Sequence, residues 1–395
     1  MSGPVPPPRR DRAPEGAAAH WPLGLAWLAH RLGRDLQRAA RRAGGPDRLW
    51  TAGRERFEAA LRLPEAELAA ARAARDAFDP GEHLRRLAAE GIAHVPLTDP
   101  AYPASLAAIH DPPFGLFVTG TGVAALDAIA GGPAIAVVGS RRATAEGRAF
   151  TRRLAGDLAD RGAVVVSGLA HGIDAAAHEG AVAADGVTVA VLGCGVDVPY
   201  PRRNGPLAAR IRRSGAVVSE YWPGTVPAPW RFPARNRIVA GLADAVAVVE
   251  AGRRSGALIT ADFGLELGRP VLAVPGWPGT AASEGCNALL RAGAALLEGA
   301  DDVVAELPGL AWAPPPGLDP GPGPTGLPGR IHAALQREPM TPEGLAEALD
   351  EDPSAVAGAI ALLEVEGLAL RGEGRRYWAT PLGGRARSPG MGVRG

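Results

Sequence analysis

Glycine, hydroxyl and cationic residues in this chain cluster directly after short apolar runs, a combination suited to binding phosphate groups. Glycine lets the backbone approach an anion closely, a hydroxyl donates a hydrogen bond, and the planar guanidinium of arginine donates several. The candidate anion-binding residues are Gly139, Ser140, Arg141, Ser167, Gly168, His171, Gly172, Arg235, Asn236, Arg237, Arg253, Ser255 and Gly256. Their types predict contact with a ligand that carries several phosphates, and none is assigned a catalytic role.

The apolar runs that precede these residues explain how positions 139 to 256 can meet. β-branched runs at 134–139, 164–167, 187–193, 217–220, 245–250 and 271–276 alternate with helix-like segments. This alternation predicts a parallel sheet with helices on both faces. Because the carboxyl ends of parallel strands share one edge, where ligands bind, the loops after them are expected to bring the candidate residues together.

The loops that follow the first two runs differ in how specific their motifs are. The Gly-Ser-Arg motif at 139–141 is short, so its glycine could form only a tight turn and its arginine a surface ion pair. The loop at 167–174 combines a hydroxyl, two glycines and the capping residue Asp174 before an Ala-rich helix, which favours an anion site. His178 in that helix is expected to make an internal hydrogen bond and not to act as a base.

The segment 232–240 places two arginines around an asparagine at the start of a predicted helix. Side chains two positions apart on a helix point in different directions. Arg235 and Arg237 are therefore expected to have different tasks, one at the anion and the other paired within the protein or with a neighbouring phosphate. Further along, Ser255 and Gly256 open a helix whose first amides form a natural phosphate cup.

Aromatic residues gather just upstream of this arginine pair. They are Tyr221, Trp222, Trp230 and Phe232. Aromatic side chains in a loop can stack nucleobases, or they can simply pack against one another. The sequence leaves both interpretations open.

The composition restricts the class of protein. The 395 residues carry 42 basic and 42 acidic side chains, so a polyanion would be held by a local patch and not by bulk charge. Cys194 and Cys286 are too few and too far apart for a metal cluster or a disulfide framework, and we expect free thiols in a reducing cytoplasm. No apolar stretch is long enough to span a bilayer, so no membrane insertion is expected. No cofactor or metal is predicted.

Composition and periodicity also divide the chain into six stretches. We expect an α/β fold, with a parallel-sheet domain, a small N-terminal helical domain and a C-terminal winged-helix domain. The expected boundaries are a disordered N-terminus at 1–18, a helical domain at 19–95, the sheet domain at 96–310, a Pro/Gly linker at 311–328, the winged-helix domain at 329–380 and a disordered tail at 381–395.

The expected C-terminal domain rests on the order of its elements. A helix at 330–336, a helix-turn-helix opened by Thr341 and Pro342, and two strands at 367–371 and 376–379 are typical of a winged helix. Its presumed recognition helix carries two glutamates and no basic residue. Because duplex binding needs cations at the phosphates, we favour protein contact or scaffolding over the reading of bases.

Five motifs, in this order, resemble the bacterial DNA-processing protein A (DprA/Smf) family. They are Gly-Ser-Arg at 139–141, Ser-Gly-Leu-Ala-His-Gly-Ile-Asp at 167–174, Phe-Pro-Ala-Arg-Asn-Arg at 232–237, the segment 250–260, and Pro-Gly at 275–276 with Ser-Glu-Gly-Cys-Asn-Ala at 283–288. The resemblance is strong over residues 97–306, extends to the C-terminal domain and is loose over the N-terminal helices.

The resemblance implies a non-enzymatic protein with an extended Rossmann-like domain that binds and protects incoming single-stranded DNA. It also implies a homodimer that loads the RecA recombinase during natural transformation. By the same resemblance, the strand-binding pocket is lined by Arg141, the 167–168 loop, Arg235, Asn236, Arg237, Ser255 and Gly256. His171 stands where family members often carry Lys or Arg. Since a neutral imidazole holds a phosphate less strongly, that contact is expected to be weaker or pH-dependent.

Two other classes of function compete with this interpretation. A nucleotide-cleaving enzyme like the phosphoribohydrolases would share the sheet edge, but its Pro-Gly-Gly-x-Gly-Thr loop and following carboxylate are replaced here by Gly-Arg-Arg-Ser-Gly at 252–256. Hydrolysis then lacks a positioned general base, since Glu250 and Asp174 can both be structural. A winged-helix transcription factor with a ligand-sensing domain is disfavoured by the acidic recognition helix.

Overall fold

The computed structural model of the chain describes residues 20–198, 200–313, 324–365, 368–372 and 375–379. The predicted disordered N-terminus and C-terminal tail lie outside the described residues, as do residues 314–323 of the predicted linker.

Six helices form a helical unit over residues 20–92. They are α1 (Trp21–Leu32), α2 (Gln37–Ala43), α3 (Pro46–Thr51), α4 (Arg54–Leu61), α5 (Glu65–Asp76) and α6 (Pro80–Ala89). Gly33 and Gly44 end the first two helices in the left-handed conformation, at φ 65° and 82°. Leu25, Leu28 and Phe57 are fully buried in the apolar cluster that these helices share. That burial holds the short helices together.

The described part of the chain builds one nine-stranded sheet. Its strands are β1 (Ala93–Pro96), β2 (Gly115–Gly120), β3 (Ala134–Gly139), β4 (Val164–Ser167), β5 (Thr188–Val191), β6 (Ala216–Ser219), β7 (Ala245–Val249), β8 (Val271–Ala273) and β9 (Ala295–Leu296). Their order is β1-β2-β6-β5-β4-β3-β7-β8-β9. The strands from β6 to β9 are parallel, while β2 pairs antiparallel with both β1 and β6.

Helices cover both faces of this sheet, which confirms the predicted fold class. They are α7 (Ala104–Ala107), α8 (Val123–Gly131), α9 (Ala145–Asp160), α10 (Ile173–Ala183), a 3-10 turn (Arg202–Asn204), α11 (Gly205–Ser214), α12 (Arg231–Gly241), α13 (Gly256–Glu266), α14 (Glu284–Arg291) and α15 (Ala300–Glu306). Successive residues of β3 enter opposite cores, because side chains alternate along a strand. Ala136 packs in the cluster with α12 and α13, and Val137 packs in the cluster with α9 and α10.

The order of the strands locates the place where a ligand would bind. From β3 the chain proceeds through β4, β5 and β6 on one side, and then crosses to β7, β8 and β9 on the other side. In such sheets the crevice lies beyond the carboxyl ends of the two strands where the direction reverses. Here those strands are β3 and β7, which end at Gly139 and Val249.

Two observations bear on the predicted limits of the sheet domain, which stay predictions. Strand β1 spans the expected boundary between residues 95 and 96. Beyond the other limit, at 310, Trp312 is buried in the cluster with Val303, and the Ala313 amide donates to the Arg161 carbonyl at 2.8 Å. The packed structure therefore continues past the position where the linker was expected to begin.

The C-terminal elements appear in the predicted order. They are α16 (Gly326–Leu335), α17 (Pro342–Leu349), α18 (Pro353–Val365), and the antiparallel pair β10 (Ala369–Arg371) and β11 (Tyr377–Ala379). Thr341 caps α17 by accepting the Gly344 amide at 3.1 Å, and Leu345, Ile360 and Leu363 are buried in a cluster of their own. The assignment to the winged-helix class stays a prediction. Among the described residues, no helix is long and apolar enough to cross a membrane.

His178 on α10 is buried and makes the internal hydrogen bond expected from the sequence. Its Nδ1 lies 2.7 Å from the Thr188 hydroxyl, which itself donates to the Val165 carbonyl at 2.7 Å. The Thr188 oxygen must therefore accept from Nδ1–H, and Nε2 is left as a buried acceptor without a hydrogen-bond partner. Burial, with a further contribution from the charge of Arg235, lowers the pKa of His178 to about 3.

This depressed pKa predicts a loss of stability in mild acid. The unfolded chain binds a proton at this histidine near its ordinary pKa of 6.5, whereas the folded chain does not until about pH 3. The contribution of neutral His178 to the free energy of unfolding is therefore complete above pH 6.5. Below that pH it falls by about 1.4 kcal/mol per pH unit. Denaturant unfolding at a series of pH values should show a shallower slope for His178→Gln than for wild type. His110→Gln, which changes an exposed imidazole, is the control and should keep the wild-type slope; equal slopes for all three would contradict the assignment.

Candidate functional site

Strands β3 and β7 approach each other so closely at the base of the crevice that only glycine fits at position 139. A side chain at Gly139 would collide with the Val249 carbonyl and with Ile173. The Ser140 amide donates to the Glu250 carbonyl at 2.7 Å, and the Ser140 carbonyl accepts the Ile173 amide at 3.1 Å. The first loop is thus joined to the ends of both β7 and α10.

Glu250, directly after β7, holds the loop that follows β3. Its carboxylate accepts the Thr144 amide at 2.9 Å and also the Thr144 hydroxyl. The same hydroxyl accepts the Gly147 amide at 2.9 Å and so caps α9. A side chain at Gly147 would collide with this carboxylate. Glu250 itself has φ 50°, a conformation that residues other than glycine seldom adopt.

The second loop contains a similar conformation and an inward-facing hydroxyl. Leu169 has φ 56° and is buried, and Gly172 has φ 81°. The Asn204 amide group holds this loop by donating to the Leu169 and Ala170 carbonyls at 2.9 and 3.2 Å. Ser167 is fully buried, and its hydroxyl donates to the Val137 carbonyl at 2.6 Å inside the sheet. The Ser167 hydroxyl, predicted to contact the anion, therefore already donates its hydrogen bond within the protein.

Arg235 lies beneath the second loop and not on its surface. It is only 4% exposed, and it donates to the Gly168 carbonyl at 2.8 Å and to the Val191 carbonyl. A side chain at Gly168 would collide with its guanidinium. Burial raises the pKa of Asp174 nearby, while attraction to Arg235 opposes that change. Arg235 therefore ties the ends of β4 and β5 to α12.

Arg237 has a different set of partners, as the spacing of the pair predicted. It forms a bidentate ion pair with Glu220 at 2.7 and 2.6 Å and donates to the Asp111 carbonyl at 3.0 Å. Burial alone would lower the pKa of Arg237, but attraction to Glu220 and hydrogen bonds with it raise that pKa above the ordinary value. Neither arginine is free for the phosphate contact expected of one of them, so that contact stays a prediction. Asn236 donates to the Gly256 carbonyl at 3.0 Å and joins α12 to α13.

Five cationic or imidazole side chains are exposed on the loops that follow β3, β4 and β7. They are Arg141, Arg142, His171, Arg253 and Arg254. Arg253 lies 3.6 Å from Glu284, a contact between exposed side chains that water screens. Ser255 caps α13 by accepting the Ala257 amide at 3.3 Å, and Gly256 beside it is exposed. The positive end of the helix dipole adds to the cationic character of this loop.

A stacking column stands next to these cations and consists of Arg141, Phe232 and Tyr200. The Arg141 guanidinium lies 5.4 Å from the centre of the Phe232 ring. Phe232 in turn stacks on Tyr200, with centroids 5.2 Å apart and planes inclined by 26°. Tyr200 is 39% exposed, so the column presents both a cation and an aromatic face to solvent. Such a pairing can hold a phosphate and a stacked base side by side.

Tyr200 belongs to the column but is not among the residues predicted from the sequence. The available signal was an aromatic residue just after an apolar run, next to the Arg202-Arg203 pair. The aromatic residues upstream of the arginine pair divide between the two expected roles, packing within the protein and exposure for base stacking. Trp222 is buried against Trp27 of the helical unit, with ring centroids 5.2 Å apart, whereas Trp230 is 48% exposed.

The helical unit buttresses α12 and the loop that leads to it. His30 Nδ1 lies 3.0 Å from the Thr225 hydroxyl. Arg41 forms an ion pair with Asp111, whose carbonyl accepts a hydrogen bond from Arg237. The Gln37 side chain donates to the Pro112 carbonyl at 2.8 Å. The position of α12 therefore depends on residues from the N-terminal helices.

Two small cavities lie at this edge, with volumes of about 140 and 230 Å³. Pockets for small-molecule ligands usually enclose roughly 300–1,000 Å³. Among the described residues, no group of three or more His, Cys, Asp or Glu side chains could hold a metal ion. The shape suits an extended ligand that lies across several loops.

Comparison with known proteins relates this sheet to one family. The family model described as "DNA recombination-mediator protein A" matches residues 93–308. The chain is 44% identical to the DNA processing protein DprA of Streptococcus pneumoniae over 53% of this chain and 72% of that protein. It is 39% identical to the DNA processing protein DprA of Bacillus subtilis over 55% of this chain and 72% of that protein.

A solved structure has the same fold. The X-ray structure of DNA processing protein A from Streptococcus pneumoniae aligns with a TM-score of 0.61 and 33% sequence identity. The alignment covers 73% of this chain and 97% of the solved chain. The sheet and the loops at its edge therefore belong to an architecture already seen by crystallography.

Two glycines of the edge should respond differently to alanine. At Gly172 the positive φ and a collision with the Ser140 carbonyl both oppose a side chain, so Gly172→Ala should lower the free energy of unfolding by about 1–3 kcal/mol or more. At Gly256, in the first turn of α13, a Cβ would meet nothing within 4 Å. Gly256→Ala should leave stability unchanged or raise it by about 0.5–1 kcal/mol. Urea unfolding of both variants would measure this difference, and equal effects would contradict the loop geometry.

Proposed function

Because this chain belongs to the DNA recombination-mediator protein A family, we propose that it binds single-stranded DNA across the carboxyl-end edge of its sheet. The DNA-processing role is that of the family. The edge consists of the loops that follow β3, β4, β5, β6, β7 and β8, together with the first turns of α12 and α13.

The stacking column is the observation that carries the proposal. Arg141 supplies a charge for a backbone phosphate, and Phe232 and Tyr200 supply an aromatic surface beside it. A single strand offers both groups at once, because its bases are free to stack on protein rings. In a duplex the base faces are covered by neighbouring base pairs, so only the phosphates would remain to be bound. The column therefore favours single strands over duplex DNA.

The distribution of charge agrees with this preference. The chain has a formal net charge of +0, yet Arg141, Arg142, Arg253 and Arg254 are exposed together at one edge. A local cationic surface can bind a polyanion even when the protein as a whole is neutral. His171 lies among these arginines and is exposed as well.

We propose that the protein acts on DNA by binding and not by catalysis. The two carboxylates considered as general bases are already engaged: Glu250 accepts hydrogen bonds from Thr144, and Asp174 is buried and accepts the Ala170 amide at 3.3 Å. A general base must be free to approach the proton that it removes. Neither carboxylate meets this condition in the structure.

Further elements of the proposal come from the family resemblance. We propose that the protein is a cytoplasmic homodimer that protects incoming single strands and loads RecA onto them. The C-terminal helices suit a protein contact better than a duplex, since α18 (Pro353–Val365) has no basic residue.

A comparison of three ligands tests the proposed function. Fluorescence anisotropy should show tight binding of a single-stranded oligonucleotide, weaker binding of the corresponding duplex and little binding of a mononucleotide, because a single nucleotide reaches only one loop. Chromatography of the mononucleotide after incubation is the control for catalysis. Release of free base, or a preference for the duplex, would contradict the proposal.

Replacement of Arg141 tests the column itself. Arg141→Ala should weaken binding by about 1–3 kcal/mol for every single-stranded sequence alike, because the lost contact is to the backbone. The plot of log affinity against log salt should flatten by about 0.7, the contribution of one phosphate in a single strand. Arg54→Ala, which removes a 69% exposed arginine side chain of the helical unit, is the matched control and should change neither quantity. Unchanged affinity in a folded Arg141→Ala protein would remove this residue from the site.

A further inference from the structure

Among the described residues, the exposed tryptophans lie on loops at the same edge of the sheet. All eight tryptophans lie in the described part of the chain, and only Trp230 and Trp277 are exposed, at 48% and 82%. Trp230 stands on the loop after β6, and Trp277 stands on the loop after β8. Both loops leave the carboxyl ends of their strands. Tryptophan is usually well buried because of its large apolar surface, so its exposure at this one edge needs an explanation.

Trp277 is held on a well-fixed loop. The Asn287 side chain accepts the Gly276 amide at 3.1 Å and donates to the Gly276 carbonyl at 2.9 Å. The Thr280 amide donates to the Trp277 carbonyl at 3.2 Å and closes a turn. These bonds position an exposed indole beside the sheet.

The loop of Trp277 also packs directly on the loop of the exposed arginines. The Gly285 amide donates to the Ala251 carbonyl at 2.6 Å. A Cβ at Gly252 would lie 3.0 Å from the Ala281 carbonyl. Arg253 and Arg254 follow within two residues of that contact. The loop that carries Trp277 and the loop that carries these two arginines are therefore in direct contact.

The two exposed indoles lie on either side of the cationic loops. In the strand order β6-β5-β4-β3-β7-β8, five steps separate the strands that precede them, which corresponds to about 24 Å at the usual spacing of about 4.8 Å. The loops between them carry Arg141, His171, Arg253 and Arg254 together with the stacking column. A strand of DNA that follows the cations would meet an indole at each end of its path.

We propose that single-stranded DNA runs along the whole edge and that Trp277 stacks on a base at the β8 end, beyond Arg253 and Arg254. This inference rests on the proposed function and adds a binding residue that lies outside the candidate set from the sequence. The occupant is a nucleobase, because the neighbouring charges are cationic and suit the phosphates on either side of a stacked base. A second copy of the chain on the same surface is the alternative that the test separates.

Three variants test the role of Trp277. Trp277→Ala should weaken single-strand binding by about 5- to 100-fold, the equivalent of one lost stacking contact. Trp277→Phe keeps an aromatic ring and should retain most of the affinity. Leu265→Ala is the matched control, because Leu265 is 57% exposed near the far end of α13, and it should bind like wild type.

The length and chemistry of the oligonucleotide distinguish stacking from other roles. Over lengths of about 4 to 16 nucleotides, the range of site sizes in single-strand binding folds, the loss caused by Trp277→Ala should grow until the strand spans the edge. An abasic oligonucleotide of the longest length should bind wild type and Trp277→Ala equally, because it has no base to stack. An effect that persists on the abasic strand would overturn the inference.

Two further outcomes are separable. If wild type does not bind single strands at all, the proposed function fails. If wild type binds and Trp277→Ala binds equally well, only the assignment of Trp277 fails. Sedimentation analysis of the free proteins is the last control: a change of oligomeric state in Trp277→Ala would assign the indole to contact between copies and overturn its role in stacking.

Discussion

The buried guanidinium of Arg235 is the interaction on which the edge of the sheet depends. Removing a charge from water is costly unless its donors are satisfied, and here it donates to the Gly168 and Val191 carbonyls at the ends of β4 and β5. The same contact requires glycine at 168 and leaves the buried Asp174 close to a positive charge. An arginine expected at the ligand thus supports the loop after β4 from within the protein.

Backbone conformation at the edge is fixed by similar supports. Leu169 and Glu250 adopt left-handed conformations that cost roughly 1–3 kcal/mol each for residues other than glycine. Each is held by its surroundings: Asn204 binds the Leu169 carbonyl, and Thr144 binds the Glu250 carboxylate. Such strain is retained only where neighbouring structure enforces it. The exposed arginines and aromatic rings are therefore presented by loops that are already rigid, which reduces the entropy lost when a ligand binds.

The sequence was informative where the signal is local. Strands β3 and β4 form over the residues predicted for them, because a buried parallel strand needs a continuous apolar run with turn residues at its end. Strand β1 was missed because it contains Pro96, and β9 was missed because it has only two residues. In both cases pairing with a neighbouring strand, and not local pattern, decides the structure.

The individual roles at the site could not be read from the sequence, because they depend on which way a side chain points after folding. Ser167 and Arg235 have the residue types of a phosphate site, yet both face inward, toward Val137 and toward the Gly168 and Val191 carbonyls. Tyr200 has no motif of its own and joins the column only because α12 brings Phe232 against it. Residue type predicted the chemistry of the edge, whereas tertiary packing selected which members of each type are exposed.

The contacts between the helical unit and α12 also have a thermodynamic consequence. His30 and Arg41 contact the segment that carries Phe232 and Arg235 through Thr225 and Asp111. Docking of the helices and occupation of the edge therefore act on the same element. Coupling between two binding events is reciprocal. If docking of the helices raises the affinity for a ligand by a given factor, binding of that ligand favours docking by the same factor. Changes in the N-terminal helices can therefore alter the affinity for the ligand although these helices do not contact it.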